Sequence, residues 1–157
     1  MQEIERKFLI LSDDYKNEAF NKIHIKQGFL NTDPNRTVRV RIKGDIGQIT
    51  IKGISSLNGT TRFEWEKDIP YSEAKRLLQL CDANLIEKIR FEVKVEDHIF
   101  EVDEFQGENE GLIMAEIELE SEEESFTKPK WLGKEVTGDV RYYNSQLAKT
   151  PYKNWKI

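Results

Sequence analysis

Several stretches of the chain carry like-charged residues two positions apart: Glu3 and Glu5, Arg39 and Arg41, Glu64 and Glu66, Lys88 and Arg90, Glu116 and Glu118. Carboxylates clustered without a histidine or thiol beside them suit a hard divalent cation such as Mg²⁺ or Mn²⁺, which prefers oxygen ligands. Rows of Arg and Lys suit phosphate oxygens, Arg through bidentate contacts and Lys as a point charge. Acids that hold a metal, next to bases that hold phosphate, describe a site for a polyphosphate–metal complex. No Gly-x-x-x-x-Gly-Lys-Ser/Thr loop occurs, so side chains alone would hold the phosphates.

The elements that must position these residues are strands. Hydrophobicity alternates with period 2 over most of the chain. The alternation predicts strands over Met1–Ile10, 24–31, 36–43, 47–53, 61–69, 87–95, 98–105 and 112–120. Asp33-Pro34-Asn35, Gly44-Asp45, Asn58-Gly59 and Glu96-Asp97 mark turns between them. Helices are expected over Asp13–Lys22, Pro70–Cys81 (with Ser72 as N-cap) and Tyr142–Lys149, the last stopped by Pro151. The acidic run Glu122–Glu124 reads as a solvated helix start.

Residues i and i+2 of a strand share a face, ~6.5–7 Å apart. Glu3, Glu5 and Lys7 therefore lie opposite Ile4, Phe8 and Ile10. Arg39 and Arg41 oppose Val38, Val40 and Ile42, and Lys52 opposes Ile49 and Ile51. Arg62, Glu64 and Glu66 oppose Phe63 and Trp65; Glu101 and Asp103 oppose Phe100 and Val102. For one strand the ordinary explanation is a core face against a wet face. The set differs, because neighbouring acids repel unless cations bridge them, and a merely soluble surface gains most from interspersed signs. Eight strands closed into a barrel must turn one face inward. The fold expected is a mainly β (α+β) protein, an eight-stranded antiparallel closed barrel with a charged tunnel inside and helices around it.

Length and composition set bounds. The chain has 157 residues, the size of one domain (1–157). Its net charge is −5, which argues against nucleic acid as a partner. Cys81 is the only cysteine, so an intrachain disulfide is ruled out. The longest apolar run, Phe8–Leu11, is far short of the ~18–20 residues of a membrane span. With no secretory signal visible, the chain reads as cytoplasmic. A monomer or a homodimer is expected.

The same residues carry a resemblance. Glu3-Ile4-Glu5-Arg6-Lys7 matches the Glu-x-Glu-x-Lys signature of the CYTH domain, the triphosphate tunnel metalloenzyme superfamily. The match runs on in order through Gln27-Gly28-Phe29-Leu30, Val38-Arg39-Val40-Arg41, Thr50-Ile51-Lys52, Phe63-Glu64-Trp65-Glu66, Glu101–Phe105, Ala115–Leu119 and Gly133–Thr137. The chain is most similar to the short bacterial inorganic triphosphatases, which cleave tripolyphosphate to pyrophosphate and phosphate. The resemblance implies Glu3, Glu5, Asp103, Glu116 and Glu118 as metal ligands for Mg²⁺ or Mn²⁺. It implies Arg39, Arg41, Lys52, Lys88 and Arg90 as phosphate contacts, joined by Lys7; Arg62, on the charged face of its strand, is expected to be a further one. Lys7, Arg41, Lys52, Glu64 and Glu66 are the residues expected to act in catalysis; Glu64 and a metal-bound hydroxide are both candidates for the base.

Three other readings share this frame: a class IV adenylate cyclase, a thiamine triphosphatase, and a polyphosphate-binding module without catalysis. No clear adenine-reading motif is present, and both acid pairs needed for metal are. Outside the site, His24, His98 and Cys81 read as surface, turn and core residues, and Tyr142 and Tyr143 as anchors of the last helix.

Overall fold

The computed structural model describes residues 2–155; Met1, the first residue of the first expected strand, lies outside them. Among the described residues nine strands form, in chain order β1 (Gln2–Ile10), β2 (Asn21–Asn31), β3 (Arg36–Lys43), β4 (Ile46–Ser55), β5 (Thr61–Ile69), β6 (Asp82–Val95), β7 (His98–Phe105), β8 (Ile113–Glu118) and β9 (Leu132–Glu135). Helices α1 (Tyr15–Glu18), α2 (Tyr71–Leu78) and α3 (Asn144–Lys149) lie among them. All pairings are antiparallel, and the order is β5-β4-β3-β2-β6-β7-β8-β1-β9. A further pairing of β1 with β5, Glu3 opposite Arg62, closes strands β1–β8 into a barrel.

Apolar residues face outward and are covered. Phe8, Phe91, Val93, Phe100, Val102, Ala115 and Ile117 pack under Tyr15 of α1 and under Phe126 and Trp131, which come from the segment after β8. On the other side, Ala74 and Leu78 of α2 cover Val40. Full burial of each Val, Leu or Phe contributes about 1.5–3 kcal/mol.

The inner face is not charged from end to end. Phe105 lies opposite Lys88 and Met114 opposite Asp103, so both point inward. With Phe29 and Ile86 they meet Val136, Tyr142, Leu147 and Ala148, filling one end of the barrel with an apolar plug.

Several expected elements change where strand pairing outcompetes local propensity. The helix over Asp13–Lys22 is only the single turn of α1. Ala19 is already extended (φ −67°, ψ 135°), the Phe20 N–H donates to the Glu92 carbonyl, and Asn21 and Lys22 join β2 by pairing with β6. The β6 strand starts at Asp82, five residues before the predicted start, because Asp82 pairs opposite Phe29. The α2 helix opens after Pro70 without a side-chain cap, so Ser72 is not its N-cap. Glu122–Glu124 form no helix; Glu122 instead accepts from Asn58 and Thr61, and Glu124 meets His98. The β9 strand, which adds to the edge of β1 opposite β8, was not anticipated.

The β4–β5 turn locks against the loop before α3. Gly59 has φ +76°, and a Cβ there would sit 2.3 Å from the Gly138 Cα. Gly59→Ala therefore meets both left-handed strain and a backbone clash. A loss of about 2 kcal/mol is expected, a fall in Tm of roughly 4–8 °C by scanning calorimetry. An unchanged Tm would mean the two loops part at little cost.

Candidate active site

Alternation and register bring the charged residues of the barrel strands into one chamber. Its wide part, about 840 Å³, is lined by Glu3, Glu5, Arg39, Arg41, Lys52, Glu64, Glu66, Arg90, Glu101, Glu116 and Glu118, among others. It narrows to a neck of about 70 Å³ reached by Lys7, Arg62, Lys88, Tyr143 and Asn144. The neck ends against the apolar plug, since Phe29 belongs to both.

The bases are held in fixed directions. Arg39 donates to the Thr50 hydroxyl at 3.0 Å and to Glu66 at 3.2 Å, and Glu66 also lies 3.6 Å from Arg41. Arg41 donates its Nε to Gln48 at 2.7 Å. Burial, with Arg39 and Arg90 nearby, lowers the Arg41 guanidinium to about 9. Arg90 grips Asp103 through two bonds of 2.8 and 2.9 Å, and Lys88 reaches the same carboxylate at 2.8 Å. Burial lowers Lys88 to about 8 despite that partner. Burial also works against the Asp103 carboxylate, but Arg90 and Lys88 outweigh it and hold its pKa low. Arg62 is turned partly away, donating to the Gly53 carbonyl at 2.9 Å. Buried guanidinium and ammonium groups crowded in one desolvated space can hold anionic oxygens.

The acids divide into two kinds. Glu116 is opposed by burial but held well below the usual carboxylate range by Lys7, Arg90 and Lys88. Glu5, directly across from Glu118 in the β1–β8 register, is pushed well up by burial and by Glu116 and Glu3. Glu3 and Glu118 are also raised, by burial first and then by neighbouring acids. Acids that cannot all ionise together want a cation. Lys52 supplies one of them, with its ammonium 3.0 Å from Glu3 and 3.4 Å from Glu64.

Among the described residues, oxygens of Glu3, Glu64 and Glu118 lie within 4.8 Å of one another. Opposite ligands of a cation with ~2.1 Å bonds are ~4.2 Å apart, so this all-oxygen donor set fits a small hard ion.

The structure thus brings together Glu3, Glu5, Lys7, Arg39, Arg41, Lys52, Glu64, Glu66, Lys88, Arg90, Glu116 and Glu118, as strand alternation predicted. Asp103 faces the same interior, but Arg90 and Lys88 engage both its oxygens. Alternation places Thr50 on the inner face beside Lys52 but gives it no role; Gln48, Gln27 and Asn144 were missed. Gln48 stands two positions before Thr50 on the same face and was findable by spacing. Asn144 was not, because α3 is outside the barrel and carries no charge pattern toward it.

Residues 1–150 match the CYTH domain family model. An inorganic triphosphatase of Acetivibrio thermocellus is 49% identical over 156 residues, covering 99% of this chain and 98% of that protein. One of Nitrosomonas europaea is 33% identical, covering 94% and 97%. The crystal structure of the inorganic triphosphatase NE1496 superposes with a TM-score of 0.66 at 32% identity, covering 93% of each chain. The PH1012 protein from Pyrococcus horikoshii OT3 superposes with a TM-score of 0.61 at 19% identity over 77% of this chain and 81% of that one, a likeness of fold alone.

Proposed function

The chain belongs to the CYTH domain family, and from that premise we propose that it is a divalent-metal-dependent triphosphatase cleaving inorganic tripolyphosphate to pyrophosphate and phosphate. The observation that carries the reading is the two-sided chamber. Buried Arg41, Lys88 and Arg90 crowd one part of it, and Glu3, Glu64 and Glu118 bring their oxygens within 4.8 Å of one another in another.

Arg39, Arg41 and Arg90 hold phosphate oxygens in the chamber, and Lys7 and Lys88 hold them in the neck, with Arg62 at its rim. Glu66 and Thr50 orient Arg39 toward them. Glu3, Glu64 and Glu118, with Glu5 and Glu116 behind, hold the metal, Mg²⁺ or Mn²⁺. When bound, the metal neutralises phosphate oxygens and lowers the pKa of water. Asp103 is assigned to aiming Lys88 and Arg90 rather than to metal. Glu64 belongs to the metal group, and Lys52, tied to Glu3 and Glu64, steadies both carboxylates. The Arg and Lys rows stabilise charge in the transition state because they are fixed before the reaction begins.

No helix among the described residues is long and apolar enough to cross a membrane. We place the enzyme in the cytoplasm as a monomer or homodimer acting on a small-molecule triphosphate, without nucleic acid or membrane; the net charge of −5 and the lone cysteine support this.

The test is product identification on a panel of tripolyphosphate, ATP, GTP, thiamine triphosphate and longer polyphosphate with each metal. Phosphate and pyrophosphate from tripolyphosphate are expected, at rates a Glu116→Ala control lacks. Cyclic AMP and pyrophosphate from ATP would make it a cyclase instead. Tight binding without turnover under any divalent metal would make it a binding module. Tripolyphosphate at 100 times its Kd should also stabilise the fold by about 2.7 kcal/mol.

A further inference from the structure

We propose that Asn144 is a positioning residue whose side-chain carbonyl aims the Lys88 ammonium into the neck of the tunnel. The proposal rests on reading Lys88 as a phosphate contact, and it names the residue that makes Lys88 one.

Lys88 is 2% exposed, and its ammonium has three N–H donors in tetrahedral array. One points to Asp103 Oδ2 at 2.8 Å and one to Asn144 Oδ1 at 2.9 Å. Fixing two of three directions fixes the last, and the neck is the space Lys88 lines. With Asp103 alone, the ammonium could turn about its Cε–Nζ bond and spread its remaining donors over several directions.

The surrounding amides are arranged for this purpose. Lysine can only donate, so Asn144 must present its oxygen to it. Gln27, fully buried, then donates its Nε2 to that same Oδ1 at 2.9 Å. Its own Oε1 is left buried with no partner. Flipping both amides would turn an NH₂ group toward Lys88 and move the Gln27 NH₂ into the place where its Oε1 now meets no partner. The orientation present is the one that gives the lysine an acceptor and lets Gln27 brace it.

Asn144 comes from outside the barrel, at the start of α3. The same segment brings the Tyr142 carbonyl to 3.5 Å and the Tyr143 ring to 5.1 Å from the Lys7 ammonium. The C-terminal segment thus does more than anchor itself on the plug; it touches both lysines of the neck.

A double-mutant cycle tests the proposal, with Asn144→Leu, Lys88→Ala and their combination. Asn144→Ala serves as a second variant should the leucine disturb folding, and Tm is followed throughout. Two readouts are used: kcat and KM for tripolyphosphate with Mn²⁺, and the Kd for tripolyphosphate by calorimetry under chelation, where nothing turns over. Asn144→Leu is expected to raise KM and Kd about five- to tenfold, less than the roughly 10- to 100-fold of losing a charged-group contact outright, because Lys88 is misdirected and not removed. Change in kcat should be within about threefold, and the metal concentration for half-maximal rate should not move. In the Lys88→Ala background, Asn144→Leu should add no more than about twofold, because nothing remains to be aimed. Full additivity, or an unchanged Kd for Asn144→Leu, would overturn the proposal. An unchanged Kd for Lys88→Ala would overturn it together with the phosphate role of Lys88. If the unaltered chain binds tripolyphosphate but does not hydrolyse it, the enzymatic reading falls while the binding cycle still decides Asn144.

Discussion

Asp103→Ala is expected to lower the melting temperature of the ligand-free protein by roughly 10 °C. Asp103 is 2% exposed and is the shared partner of Arg90 and Lys88, themselves 5% and 2% exposed. Removing one partner from a buried ion cluster costs about 3–5 kcal/mol, because the charges left behind keep their desolvation penalty. At about 2–4 °C per kcal/mol for a chain of this size, that is the fall stated. Tripolyphosphate, with its own negative charge, should restore more of the Tm in the variant than it adds to the unaltered protein. The pH dependence follows from the sign of the shift. The folded pKa of Asp103 is lowered, so its contribution is present above the unfolded value and is lost as pH falls through the folded one. The gap between variant and unaltered protein should hold at neutral pH and close in acid. A variant that melts with the unaltered protein would show that Arg90 and Lys88 do not depend on this carboxylate.

The second large effect separates the two halves of the chamber. Glu118→Gln removes charge from the acid group at the mouth, where its oxygens neighbour those of Glu3 and Glu64. Hard cations depend on carboxylate charge, so metal affinity should fall about tenfold or more, with activity partly recovered at high Mg²⁺ or Mn²⁺. Arg41→Ala instead removes a phosphate contact that Gln48 and Glu66 hold in place. A charge-assisted hydrogen bond is worth about 1.5–3 kcal/mol, so KM should rise roughly 10- to 100-fold and extra metal should not help. The measurement is initial rate over a grid of metal and tripolyphosphate concentrations. Rescue of Arg41→Ala by metal, with no rescue of Glu118→Gln, would exchange the two assignments. Glu118→Gln should also melt slightly higher without ligand. Burial and the neighbouring Glu3 and Glu101 already raise the Glu118 pKa, and the substitution relieves that crowding.

What the amino-acid sequence determined by itself was the content of the two barrel faces. Alternation with period 2 is a local property: once Arg39 faces inward, Arg41 must follow, and Val38 and Val40 must face out. That logic placed Glu3, Glu5, Lys7, Lys88, Arg90, Glu116 and Glu118 in one interior without knowledge of which strand pairs with which. The tertiary structure decided everything that depends on a partner distant in sequence. Asn21 and Lys22 became strand because β6 offered hydrogen bonds that an isolated helical turn could not match. Asp103 lies in phase with the expected metal ligands, but Arg90 stands directly across from it on β6 and Lys88 reaches it diagonally, and only the register of β6 with β7 reveals that. Phe105 and Met114 share the inward face with the charges, yet they meet α3 and fill one end of the barrel rather than line an open tunnel. Asn144 carries no charge and obeys no strand period, so nothing local marks it. Its role comes from a chain that, more than fifty residues after Lys88, returns to set a carbonyl oxygen against a buried ammonium. A lysine can be recognised from its own strand, but the direction of its third N–H belongs to whatever the fold packs against it.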